Sequence, residues 1–237
     1  MSVSPLTILS LDASTEACSI ALSTQDNAIF QRFMLAPREH TQKILPTVKA
    51  VIEEAELTLA DIDAIVYGQG PGSFTGVRIG ISIAQGLAYG LEKNMIGVST
   101  LQAMAQEAFA TKQADSVYAA IDARMGEVYF AHYVNQDGVM VLEGKEVVVK
   151  PDALMETLPA SELIAGSELV GTGWAAYPDL QEYFANCVVS DIIYPNALHM
   201  LKQGQLLIEQ DKAVAPELAM PVYLRDTVTW KKLPGRE

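Results

Sequence analysis

The stretch Gly68-Gln69-Gly70-Pro71-Gly72-Ser73-Phe74-Thr75-Gly76-Val77-Arg78 constrains the fold of this chain more than any other. An apolar run, Ile62 to Tyr67, leads into it, and a helical repeat, Ile79 to Leu91, leaves it. Strand, glycine loop and helix in that order form the unit of an α/β fold. Glycines open backbone angles closed to other residues, and bare amides at a helix start attract anions, so a phosphate site is the first chemistry to test. The residues do not complete one. A Walker loop needs a Lys beside Ser or Thr after its last glycine, and no Lys stands between Lys49 and Lys93. The dinucleotide pattern needs a third glycine where Thr75 stands. Ser73 or Thr75 as the cap of the following helix is the plainer use of the loop.

In that helix Gly72, Gly76, Gly80, Ala84 and Ala88 recur every fourth residue, beside a bulky stripe of Ile79, Ile83, Leu87 and Leu91. Small residues at this spacing make a flat face that another backbone can approach closely. Two occupants suit it: the chain's own sheet, or a helix of a partner or second copy.

Upstream, Leu6 to Asp12, Ala17 to Leu22 and Ala28 to Phe33 read as an antiparallel meander around short polar turns. From His40 to Glu56, residues Ile44, Leu45, Val48, Val51 and Ile52 fall at the spacing of an amphipathic helix. After the glycine-loop helix come a strand from Met95 to Val98 and a helix from Leu101 to about Phe109. The second half begins in the same way. Ser116 to Asp122 is a strand ending in Asp, paired with Gly126 to Asn135 through Ala123-Arg124-Met125, and Val139 to Val149 is a third strand. A short helix over Pro151 to Leu158, strand fragments at Leu163–Ala165 and Glu168–Val170, a Gly171-Thr172-Gly173 turn and a helix over Pro195 to Gln210 complete the pattern. The repetition predicts two similar α/β lobes, residues 1–105 and 106–237.

Half of the residues are hydrophobic, enough for a large core without disulfides or metals. No apolar run reaches the length of a membrane span, and the N-terminus lacks the marks of a signal peptide, so the expected compartment is the cytoplasm. Cys18 and Cys187 form no CxxC and read as packed thiols of a reducing compartment. Asp and Glu outnumber Lys and Arg by 29 to 16, a net charge of −13. Such a surface repels a phosphate backbone, which argues against a principal nucleic-acid-binding role. Only the tail, with Arg225, Lys231, Lys232 and Arg236, is basic.

Five segments together resemble the TsaB (YeaZ) family, the bacterial partner proteins of tRNA threonylcarbamoyladenosine biosynthesis. They are Ile8 to Thr15, Arg38-Glu39-His40-Thr41 to Leu45-Pro46, Gly68 to Gly80, Ile121-Asp122-Ala123-Arg124, and Pro221 to Asp226. The resemblance spans nearly the whole chain, and Phe74-Thr75-Gly76-Val77-Arg78 is its most specific part. It implies the two-lobed fold of the acetate kinase, Hsp70 and actin superfamily (ASKHA), each lobe an antiparallel-then-parallel mixed sheet with helices. In active members a carboxylate near the nucleotide's magnesium stands where Asp12 stands. Here the turn Ala13-Ser14-Thr15 lacks the glycine that lets amides approach phosphate. The catalytic relative, TsaD, holds a metal on two histidines four residues apart; this chain has His40 followed by Ile44, and His132 and His199 have no ligand-spaced neighbours. No nucleophile elbow is present, and Asp12, Asp122 and Glu127 remain a cleft-carboxylate option.

The expectation is therefore a non-catalytic subunit without a cofactor. By resemblance it would bind a TsaD-type catalytic subunit and work with a TsaE-type ATPase, would meet tRNA only indirectly, and would form a homodimer when the partner is absent. The expected interface residues are His40, Leu45 and Val48 on one helix and Gly76, Gly80, Ile83, Ala84 and Leu87 on the other. The alternatives are a small ATP-dependent kinase or phosphatase using Asp12, and a glycoprotease-like peptidase.

Overall fold

The computed structural model describes residues 6–225. In chain order the first part comprises β1 (Ile8–Asp12), β2 (Ala17–Ser23), β3 (Ile29–Leu35), α1 (His40–Glu54), β4 (Ala64–Gly70), α2 (Phe74–Leu91), β5 (Met95–Ser99) and α3 (Thr100–Lys112). The second comprises β6 (Ser116–Asp122), β7 (Val128–Gln136), β8 (Val139–Val149), α4 (Pro151–Thr157), β9 (Glu168–Val170), α5 (Gly173–Ala176), α6 (Pro178–Tyr183), β10 (Val188–Val189) and α7 (Leu201–Glu209). The sheets are ordered β3-β2-β1-β4-β5 and β10-β9-β6-β7-β8, so each lobe has the same topology, an antiparallel meander whose first strand also pairs in parallel with a fourth. This is the two-lobed ASKHA architecture.

β1 is buried along its whole length and β4 along nearly all of it, as strands covered on both faces must be. One face of the first sheet packs Leu9, Leu11, Ile20 and Ile65 under Ile44, Val48 and Val51 of α1 and Val77, Ile81 and Ala84 of α2. The other packs Val66, Ile96 and Val98 under Ala197, Met200 and Leu201. The second lobe has an aromatic core in which Tyr118, Phe130, Trp174 and Phe184 meet mainly at tilted and edge-on angles.

Three details depart from the sequence reading. Leu163–Ala165 is not a strand: Leu163 closes a 3-10 turn, and the Ile164 carbonyl accepts from the Ser167 hydroxyl. The last helix is broken into a 3-10 turn over Ala197–Met200 and α7, because the Asn196 side chain accepts from the Leu198 amide and starts the chain early in a tighter coil. The boundary at 105/106 cuts through α3, which packs on both sheets, and residues 197–222 return to the first lobe. There Ser10 Oγ donates to the Ala197 carbonyl, Met95 and Val214 exchange both backbone hydrogen bonds, and the Val222 amide donates to the Gln69 carbonyl at 2.8 Å. The tail residues Lys231, Lys232 and Arg236 lie outside the described residues.

Candidate functional site

The glycine loop is shaped by the hairpin beneath it. A Cβ on Gly68 would lie 1.8 Å from Asp12 Oδ2, one on Gly72 2.3 Å from the Ser14 carbonyl oxygen, and one on Gly76 2.3 Å from the Ala13 carbonyl oxygen. The three glycines thus let the end of β4 and the first turns of α2 rest on the β1–β2 turn. The Ser73 amide donates to the Ser14 carbonyl at 2.7 Å, and the Ser73 hydroxyl caps α2 by accepting from the Gly76 amide. Two amides at this helix start are therefore spent internally, and Ser73 rather than Thr75 is the cap.

Asp12 lies below this contact, 1% exposed. Its Oδ1 accepts from the Ser14 amide at 3.0 Å and the Ser14 hydroxyl at 2.9 Å, while Oδ2 has no partner among the described residues. Burial pushes its carboxyl up to about 6 against the pull of both Ser14 hydrogen bonds. Burial, with Asp12 close by, pushes the Cys18 thiol up to about 11, well away from a reactive thiolate.

Between the lobes lies a cleft of about 440 Å³, lined on one side by Ser14, Thr15 and Ser73 and on the other by Asp122, Arg124 and Thr172. Asp12 is not in its wall. The three carboxylates singled out in the sequence do not converge. Asp12 is turned inward; Asp122 accepts from the Arg124 guanidinium and the Tyr177 hydroxyl; Glu127 is held by Arg225. Arg124 also reaches across the cleft to Glu16 at 3.3 Å, an inter-lobe pair that sequence reading missed. Its signals were its place in the turn after a strand-ending Asp and in the segment Ile121-Asp122-Ala123-Arg124, and neither pointed to Glu16.

The eight expected interface residues separate into two sets. Val48, Gly76, Gly80 and Ala84 face the chain's own core, so the small-residue face of α2 is taken up by the first sheet and its hairpin. His40 is buried too, its Nε2 lying 3.1 Å from the Ala17 carbonyl oxygen, a structural tie at the start of α1. Leu45 is exposed, and Ile83 and Leu87 are half-buried on the outer side of the core. An open hollow of about 350 Å³ between α1 and α2 is lined by Thr41, Phe74, Thr75, Arg78, Ile79, Ser82 and Ile83.

A family model described as TsaD, tRNA N6-adenosine threonylcarbamoyltransferase, matches residues 34–232. The chain is 50% identical over 233 residues to the tRNA threonylcarbamoyladenosine biosynthesis protein TsaB of Escherichia coli, covering 97% of this chain and 99% of that one. It is 45% identical over 240 residues to the protein of the same name from Haemophilus influenzae, with 98% and 99% covered. Among solved structures, YeaZ from Pseudomonas aeruginosa superposes with a TM-score of 0.81 at 37% identity, over 92% of this chain and 100% of that one.

Proposed function

We propose, because the chain belongs to the TsaB family of tRNA threonylcarbamoyladenosine biosynthesis proteins, that it is a non-catalytic subunit serving formation of threonylcarbamoyladenosine in tRNA. It binds a TsaD-type catalytic subunit through the outer faces of α1 and α2, works with a TsaE-type ATPase, and meets tRNA through these partners. Without them the same surface pairs with a second copy of the chain in the cytoplasm.

The observation that carries the non-catalytic reading is the use made of Gly68, Gly72 and Gly76. In a phosphate loop such glycines leave amides open to an anion. Here they receive Asp12 and the carbonyls of Ala13 and Ser14, whose oxygens repel an anion. Asp12, the candidate carboxylate, is sealed from the cleft.

The interface follows from exposure. Leu45 and the bulky stripe of α2 offer apolar area beside the hollow between the helices, whereas the buried small residues do not. Gly80→Leu is consequently a poor probe of association, since Gly80 rests on Ala13. Leu45→Asp is the better one, because the side chain is 49% exposed.

The test is a calorimetric titration of the chain with a TsaD-type subunit, with and without ATP. Saturable binding at micromolar affinity or better, about −8 kcal/mol, weakened at least about tenfold by Leu45→Asp, is the expected result. No binding overturns the subunit reading. Turnover of magnesium-ATP by the chain alone, lost in Asp12→Ala, overturns the non-catalytic one in favour of a kinase-like enzyme.

A further inference from the structure

Two exposed aromatic rings and an arginine meet where α2 begins. Phe74 is 68% exposed and Tyr223 47%, their ring centroids 6.4 Å apart. The Arg78 guanidinium stacks 3.2 Å from the Phe74 centroid and lies 5.1 Å from that of Tyr223. Beside this stack is a cavity of about 410 Å³, walled by Gly72, Val77, Tyr129, Val222 and Leu224. Leaving two large aromatic rings in water costs solvation free energy that a partner would recover.

The charges at this end of the molecule are unequal in their partners. Arg124 is held by Asp122 and Glu16, and Arg225 by Glu127. Arg78, among the described residues, meets no carboxylate, and its one hydrogen bond runs to the Phe74 carbonyl at 3.5 Å. In a chain where acids outnumber bases by 29 to 16, a guanidinium without a counter-charge among the described residues, fixed in orientation by stacking, is a cation held ready for an anion. Phe, Tyr and Arg together are also the composition of protein interface centres.

We propose that Phe74, Arg78 and Tyr223 form a docking site for an acidic segment of a partner protein. One carboxylate of that segment takes the open edge of the Arg78 guanidinium, and a neighbouring apolar side chain enters the cavity beside it. The planar fork of Arg matches a carboxylate in two parallel hydrogen bonds, and the rings on its faces strip water from the pair. RNA is the poorer occupant. A phosphate backbone is gripped by several cations in a row, whereas among the described residues one uncompensated guanidinium stands here, on a chain of net charge −13. The site adjoins the hollow between α1 and α2, with which it shares Phe74 and Arg78, so it rests on the reading of that face as an interface and adds charge to its apolar area.

Fluorescence anisotropy of the full chain with a labelled peptide of about ten residues, alternating Asp or Glu with Leu or Phe, tests this directly. The expected result is saturable binding that rising salt weakens. Arg78→Gln and Phe74→Ala should each weaken it by about tenfold or more, and Arg32→Gln, whose guanidinium rests on Glu54, should leave it unchanged. Phe74 is exposed, so its removal spares the core, and a thermal melt of each variant checks the fold. Four results would each overturn the proposal: binding unaffected by Arg78→Gln, equal binding of the same peptide with Asn and Gln in place of its acids, no saturation up to about 1 mM, or tighter binding of single-stranded RNA than of the acidic peptide.

Discussion

Asp12 is a carboxylate whose burial the fold must bear, and the cost depends on pH. Burial raises its carboxyl from the ordinary 3.8 to about 6, so the folded chain holds this proton more tightly than the unfolded one. The stability contributed by neutral Asp12 is therefore full below about pH 4 and is lost as pH rises through about 6, beyond which it is flat. Two pH units correspond to about 3 kcal/mol. Asp12→Asn removes that dependence. Thermal melts of both proteins from about pH 4 to 8 should show the native protein losing ground to the variant up to about pH 6 and running parallel above it. Its neighbour gives a sharper contrast. Gly68→Ala drives a Cβ to within 1.8 Å of Asp12 Oδ2 and should cost about 3 kcal/mol or more, whereas Gly86, with nothing within 4 Å, should gain about 0.5–1 kcal/mol on conversion to Ala. Urea denaturation of the two variants tests both statements.

At the scale of elements, α2 combines a capped start with a face of small residues, and the cap can be weighed alone. Ser73 is exposed, so Ser73→Ala removes the Gly76 hydrogen bond without a cavity and should lower stability by about 1 kcal/mol in chemical denaturation. The element itself was legible from glycine spacing and the apolar stripe. So were β6 and β8, which have the bounds read from the sequence. Which way the small face of α2 points was not, because one period serves an internal sheet and an external helix equally well. Gly72, Gly76 and Gly80 turned out to match the carbonyls and side chain of Ala13-Ser14, residues far away in sequence. The stack of Phe74, Arg78 and Tyr223 was hidden for the same reason. Both of its segments stood out in the sequence, and only the fold brings them together.

At the scale of the molecule, the run from Pro216 to Arg225 ties the two lobes together. Gln85 donates to the carbonyls of Pro216 and Ala219, Val222 pairs with Gln69, and Arg225 crosses to the second lobe, where it meets Glu127 and, at 3.1 Å, the Ala123 carbonyl. The pair is largely shielded, its side chains 20% and 27% exposed. Arg225→Ala, which strands Glu127, should cost about 2 kcal/mol and speed hydrogen exchange at the Val222 amide, as read by mass spectrometry. The return of residues 197–222 to the first lobe also sets the order of events at the ribosome. β1 and β4 emerge early, but much of the cover for Val66, Ile96 and Val98, that from Ala197, Met200 and Leu201, is made only after the whole second sheet. Until it arrives, that face of the first sheet is covered only in part, by Ala103 of α3, and the nascent chain depends on chaperones or on speed to keep the rest from other chains. A message cut short before Ala197 would therefore yield an aggregating fragment instead of a smaller folded lobe.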